Sequence, residues 1–328
     1  MRRIACLLFG LAVICAACPT LAAGAEKEDH GRRMRYRSGS AEDAARWQEA
    51  LRSRLFDLLK MTDLVSRKEP IPLAPKILST NEKPGYVHHE VEINSTPGRR
   101  INLVLTVPAG RPGAFPAIVV LAGHGGTRHT AYGDDHGYHR MGEILAASGY
   151  VTVSTSVGQH EVFEEGRTLM GERLWDVMRC VDYLESRKEV DPRRIGAAGK
   201  SLGGEMVMWL AAMDKRVAAA SVTGFLTDMD QMESNHCMCW KFPGLRELVD
   251  YADIYALTAP RALMFQNGID EPPSQFPPSV AVRVMPEIAP IYRDLGVPQN
   301  VAMVAFPGGH EIHVPSLRAF FSLVFVPR

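Results

Sequence analysis

Ser201 stands at the centre of Gly199-Lys200-Ser201-Leu202-Gly203, between the apolar run Arg194 to Ala198 and the apolar stretch Glu205 to Met213. A serine held on a sharp strand-to-helix turn needs neighbours of almost no bulk two residues to either side, because strand and helix backbones pass close there. Gly199 and Gly203 meet that need and Gly204 extends the room, so the pentapeptide reads as a nucleophile elbow. A serine used in this way requires a base to take its proton and an acid to orient that base. The apolar run Ala262 to Gly268 ends in Ile269-Asp270-Glu271-Pro272, which makes Asp270 the expected acid, with Glu271 next in line. Val301 to Phe306 runs into Pro307-Gly308-Gly309-His310, which makes His310 the expected base. The chemistry these three types support is nucleophilic acyl transfer.

The negative charge that develops on the attacked carbonyl needs two backbone N–H donors. Leu202, directly after the nucleophile, supplies one. The glycine-rich loop Leu121-Ala122-Gly123-His124-Gly125-Gly126 follows an early apolar run, and Gly125 or Gly126 is expected to supply the other. His124 on that loop, and Trp240 and Phe242 further along, are expected to wall the substrate pocket, the two aromatics as apolar or sugar-stacking surface. No metal is expected. His310-Glu311-Ile312-His313 lacks the i, i+4 histidine pair of a zinc-binding HExxH helix. His129, Asp134, Asp135, His136 and His139 show no ligand spacing and read as a solvated loop. His236-Cys237-Met238-Cys239 is a further set of ligand types, read here as part of the pocket wall.

These residues need a scaffold that brings strand ends together. From Tyr86 onward short β-type runs alternate with helical ones. Tyr86 to Ile93 and Ile101 to Val107 read as an antiparallel pair, and Ala117 to Leu121 as a strand buried on both faces. Helix 138–148, strand 151–156, helix 170–185, strand 194–199, helix 202–213, strand 217–223, strand 261–266, helix 279–294, strand 301–305 and a helix near Leu317 to Phe325 follow. This alternation predicts an α/β architecture, a mostly parallel doubly wound sheet with helices on both faces. Active groups in such sheets gather at the carboxyl ends of the strands, where all three residues fall. Residues 86–328 are the expected catalytic domain. Residues 26–85 read as an N-terminal extension: a flexible polar lead-in to residue 40, one amphipathic helix capped by Ser40, and a connector through Glu69-Pro70-Ile71-Pro72-Leu73-Ala74-Pro75.

Lys plus Arg and Asp plus Glu are both 37 among 328 residues, so no net field favours nucleic acid or an anionic membrane. Arg2 and Arg3, the apolar run Ile4 to Cys18 and the small residues Ala23-Gly24-Ala25 have the layout of a signal peptide over residues 1–25. The run is shorter than the roughly 20 residues of a membrane span. Export to the periplasm or beyond is therefore expected, ahead of a lipoprotein anchored at Cys18. Cleavage would leave Cys180, Cys237 and Cys239, too few for a disulfide scaffold.

With elbow, glycine loop, acid and base in the order Ser201, Asp270, His310, the chain resembles the α/β-hydrolase superfamily over roughly residues 86 to 328. Asp191-Pro192-Arg193-Arg194-Ile195, Gly199 to Gly204, Ala259-Pro260-Arg261-Ala262-Leu263, Asn267-Gly268-Ile269-Asp270 and Pro307-Gly308-Gly309-His310 are similar to its dienelactone-hydrolase-like and acetyl-xylan-esterase-like branch. That resemblance implies a serine hydrolase of carboxylic esters, often acetyl groups on plant polysaccharides, acting without a cofactor on a small-molecule or carbohydrate ester. Dienelactone hydrolases proper use cysteine where this chain has Ser201, which favours ordinary esters over lactones. Two alternatives share the fold: a prolyl-oligopeptidase-type serine peptidase, and a catalytically silent binding protein.

Overall fold

The computed structural model describes residues 12–15, 31–110 and 113–326. Their centre is a ten-stranded sheet. The strands in chain order are β1 (Ala12–Cys15), β2 (Lys76–Lys83), β3 (Tyr86–Asn94), β4 (Arg100–Pro108), β5 (Phe115–Leu121), β6 (Val151–Thr155), β7 (Val190–Lys200), β8 (Val217–Thr223), β9 (Ala262–Gly268) and β10 (Val301–Phe306). Across the sheet they stand β1-β10-β9-β8-β7-β5-β6-β4-β3-β2. The six strands from β10 to β6 are mutually parallel, and β4, β3 and β2 continue the sheet antiparallel. At the other edge β1, which lies inside the segment read as a signal peptide, pairs antiparallel with β10. The rest of that segment lies outside the described residues.

The central strands are mostly apolar and largely buried, because both of their faces are covered. Alternation along β5 sends Ala117, Val119 and Leu121 into one core and Ile118 and Val120 into another. The larger core packs the helices Ala41–Leu58, Leu169–Glu185, Leu202–Met213, Tyr251–Ala256 and Pro278–Asp294 on one face. Helices Met141–Ala147 and Val314–Val324 cover the other. The doubly wound α/β expectation holds. The sheet also takes in β2, which falls within the expected extension 26–85; its eight residues carry no apolar alternation, and all are exposed.

Residues 31–40 of the lead-in are tied to the helices of the larger core. Arg32 is buried and its guanidinium reaches Asp253 at 3.1 Å and Glu287 at 2.7 Å, while the Met34 N–H donates to the Leu248 carbonyl at 2.9 Å. The helix that follows starts on the expected cap, with Ser40 and Asp43 forming a reciprocal capping box. Its buried polar residues serve other helices. Arg52 donates to the Ala212 and Leu257 carbonyls, and Gln48 to those of Ala256 and Ala259. These carbonyls lie at or just past the C-termini of helices Leu202–Met213 and Tyr251–Ala256, where intrahelical donors run out and a cation is favoured by the dipole.

Candidate active site

Ser201 occupies the single residue between β7 and helix Leu202–Met213, with φ 58° and ψ −128°. A side-chain-bearing residue in that region costs on the order of 1–3 kcal/mol, a strain the surrounding structure must hold in place. The Ser201 N–H is tied to the Thr223 carbonyl on the adjacent strand at 3.0 Å. The glycines around it are dictated by close approach. A Cβ at Gly199 would lie 2.3 Å from the Gly203 oxygen, and one at Gly203 would lie 2.3 Å from the Leu121 oxygen. Every residue of the helix behind the serine is buried, so the turn is braced on its helix side.

His310 and Ser201 line one cavity of about 590 Å³, together with His124, Gly125, Tyr138 and Lys200. The imidazole is held by Glu271, whose Oε2 is 3.2 Å from His310 Nδ1 and also accepts the Phe276 N–H at 2.9 Å. The Glu271 side chain is 1% exposed. A buried carboxylate facing Nδ1 requires the proton to sit on that nitrogen, which leaves Nε2 as the acceptor. Asp270 is not at the histidine, contrary to expectation. Its carboxylate is exposed and accepts the Gly308 N–H at 3.2 Å, while its own N–H donates to the Gly308 carbonyl at 3.0 Å. The two residues are adjacent, and only the second turns inward toward Phe276 and His310. Asp270 thus braces the histidine loop.

Three residues that sequence reading passed over hold His310 in place. Gly224 leaves space for the ring, since a Cβ there would stand 2.6 Å from both its Cε1 and its Nδ1. Phe276 stacks on the ring with centroids 5.6 Å apart. Lys200 Nζ donates to the carbonyls of His310 at 3.0 Å and His136 at 2.5 Å and lies 4.6 Å from the Tyr138 ring centroid. Burial lowers the Lys200 ammonium to about 8, against the opposing pull of Glu271 and Glu311. Lys200 stood inside the elbow motif, but its two acceptors lie far away in the chain.

Of the expected oxyanion donors, Leu202 opens the helix, so its N–H has no intrahelical acceptor. The Gly126 N–H is taken, because it donates to the Gly123 carbonyl at 3.0 Å and closes a turn. Gly125 sits on the cavity wall with φ 71°. The Gly123 N–H donates to the Tyr138 hydroxyl at 2.6 Å, which leaves the phenol proton for a partner in the cavity.

His124 lines the cavity as expected, whereas Trp240 and Phe242 do not. Trp240 is buried against Tyr251, centroids 5.6 Å apart, and Phe242 packs on Trp209 at 6.3 Å beside a separate surface hollow. An aromatic stretch after a strand has the same composition whether it lines a core or a pocket. The cavity wall instead carries polar groups, including Thr130, Asp135 and His136.

Among the described residues, two groups of metal-ligand types converge. His88, Glu90 and His129 meet around one carboxylate, which is already taken by an ion pair with Arg128 at 3.0 Å. His124, which lines the cavity, comes together with His160, Cys237 and Cys239 from three separate loops. Their wide separation in the chain hid that meeting.

Comparison with known proteins adds the following. The profile of the prolyl oligopeptidase family matches residues 143–260, which takes in the elbow and ends before Glu271 and His310. YtaP of Bacillus subtilis (strain 168), a provisionally assigned hydrolase, is 23% identical over 290 residues, covering 79% of this chain and 92% of its own length. A Bacteroides fragilis NCTC 9343 structure provisionally assigned as an acetyl xylan esterase superposes with a TM-score of 0.71 at 18% identity, over 85% of this chain and 79% of that one. A glucuronoyl esterase from Solibacter usitatus superposes with a TM-score of 0.69 at 17% identity, over 93% of this chain and 99% of that one. At such identities the likeness is one of fold.

Proposed function

We propose that this chain, an α/β-hydrolase in fold, is a serine hydrolase that cleaves carboxylic esters through an acyl-enzyme. The observation that carries the proposal is the strained Ser201 sharing one cavity with His310, whose Nδ1 is held by the buried Glu271. In this reading His310 Nε2 takes the Ser201 proton as Oγ attacks the ester carbonyl carbon. The C=O electrons move onto oxygen, where the Leu202 and Gly125 N–H groups receive the charge. Collapse of the tetrahedral species expels the alcohol, which leaves with the proton from His310. Water then repeats the sequence on the acyl-serine and releases the acid. Glu271, rather than Asp270, orients the ring and balances its charge while it holds the proton.

The leaving-group side is best matched by a hydroxylated alcohol, because Thr130, Asp135 and His136 offer hydrogen bonds around the cavity. A carbohydrate acetyl ester has that chemistry, and carbohydrate esterases stand among the similar folds. Export completes the proposal, on the signal-peptide layout of residues 1–25. The peptidase alternative draws on a family match confined to the part of the fold that esterases and peptidases share. Turnover of acetylated xylo-oligosaccharides, an aryl acetate and a proline amide by the purified chain separates these readings. Ester cleavage lost in Ser201→Ala, with little amide cleavage, is the expected pattern. Amide cleavage exceeding ester cleavage would overturn it.

A further inference from the structure

We propose that His124, His160, Cys237 and Cys239 form a structural zinc site, joined to the cavity through His124 on its wall. Their ligand atoms all lie within 4.8 Å of one another. His124 Nε2 is 3.2 Å from Cys239 Sγ, and His160 Nε2 is 3.4 Å from Cys237 Sγ. Zinc bonds of about 2.0–2.1 Å to nitrogen and about 2.3 Å to sulfur, opened at the tetrahedral angle, set nitrogen and sulfur roughly 3.5 Å apart. The two measured edges are close to that value before any ion draws the ligands together.

The donor set is chemically selective. Two imidazoles and two thiolates suit a borderline-soft divalent ion and not magnesium or calcium, which take oxygen. Binding would send two thiol protons to solvent, after which two thiolates cancel the ion's charge. An outer contact is in place as well. The buried guanidinium of Arg173 donates to Cys239 Sγ at 3.5 Å, a hydrogen bond that favours a thiolate. Because the protein fills all four positions, the site is a closed one that ties loops together and leaves no position for a reacting water.

Those loops matter to the cavity. His124 precedes Gly125 after β5, His160 follows β6, and the cysteines follow helix Met229–Asn235. None of the three segments is part of the sheet. The four ligand side chains are themselves exposed or half-buried, so their own apolar burial does not account for the convergence. The site does not depend on the proposed reaction, and its test reads the metal directly.

The full-length chain is reduced, loaded with zinc and desalted, and its metal content is measured. About one zinc per chain is expected. Cys237→Ser with Cys239→Ser should bring it to background, and His160→Gln should lower it, while Cys180→Ala should leave it unchanged. Cobalt(II) put in place of zinc should show sulfur-to-cobalt charge transfer and the intense visible bands of a tetrahedral site, the charge transfer halving in Cys237→Ser. Thermal unfolding of each variant without metal confirms that it folds. Absence of bound zinc in the reduced wild type, weak octahedral cobalt bands, or a Cys237–Cys239 disulfide that forms equally with zinc present would each overturn the proposal.

Discussion

Glu271→Gln should cost this chain about a thousandfold in kcat, whereas Asp270→Asn should stay within a few-fold. At the 3.2 Å between Glu271 Oε2 and His310 Nδ1, and an effective dielectric of about 20, carboxylate and imidazolium attract by about 5 kcal/mol. Glutamine retains a neutral hydrogen bond and recovers about 1 kcal/mol of that. The remaining ~4 kcal/mol falls on the transition state, where the ring carries its proton, and corresponds to roughly three powers of ten. The loss should appear in kcat with KM little changed, because no substrate contact is removed. Asp270 faces solvent and holds only the Gly308 amide, so its amide variant keeps an acceptor there. The assay is steady-state hydrolysis of an aryl acetate by both variants, with thermal unfolding to confirm that each is folded. A thousandfold loss in Asp270→Asn beside near-normal turnover in Glu271→Gln would refute the assignment.

Burial pushes the Glu205 carboxyl up to about 8 from its usual 4.5, against the opposing pull of Arg173 and Trp209, and Oε1 has no hydrogen-bond partner among the described residues. The folded chain therefore keeps a proton that the unfolded chain releases. The contribution is complete below pH 4.5, declines as pH rises, and is lost above about 8. Glu205→Gln should gain on the wild type by about 5 kcal/mol between those limits, read by urea unfolding at either end; parallel pH curves would contradict this. Gly203→Ala places a methyl 2.3 Å from the Leu121 oxygen and should destabilise by about 3 kcal/mol with loss of turnover, seen as a lower Tm. Lys200→Met frees the His310 and His136 carbonyls, and by misplacing the ring should lower kcat roughly tenfold to a hundredfold with KM nearly unchanged. An unaltered kcat would show that Lys200 does not position the histidine.

The scaffold was legible because its signals are local. Continuous apolar runs at β5, β8 and β9, alternating with helical spacing, dictate a covered parallel sheet whatever the details of packing. Ser201 was legible for the same reason, its glycines being neighbours in the chain. Glu271 was not, since two adjacent acids after a strand differ only in which one faces Phe276 and His310. Arg32 looked like part of a solvated tail because Asp253 and Glu287 lie more than 200 residues away. Trp240 was misplaced on composition alone, and the meeting of His124 and His160 with Cys237 and Cys239 exists only once three loops are folded together.

The account rests on a covalent acyl-serine. Rapid quenching of the full-length chain during turnover of an aryl acetate, followed by mass analysis of the intact protein and its peptides, tests this directly. The predicted result is a single added acetyl group on Ser201, absent in Ser201→Ala together with turnover. Undiminished turnover in Ser201→Ala, or an acetyl group mapped to another side chain, would contradict it.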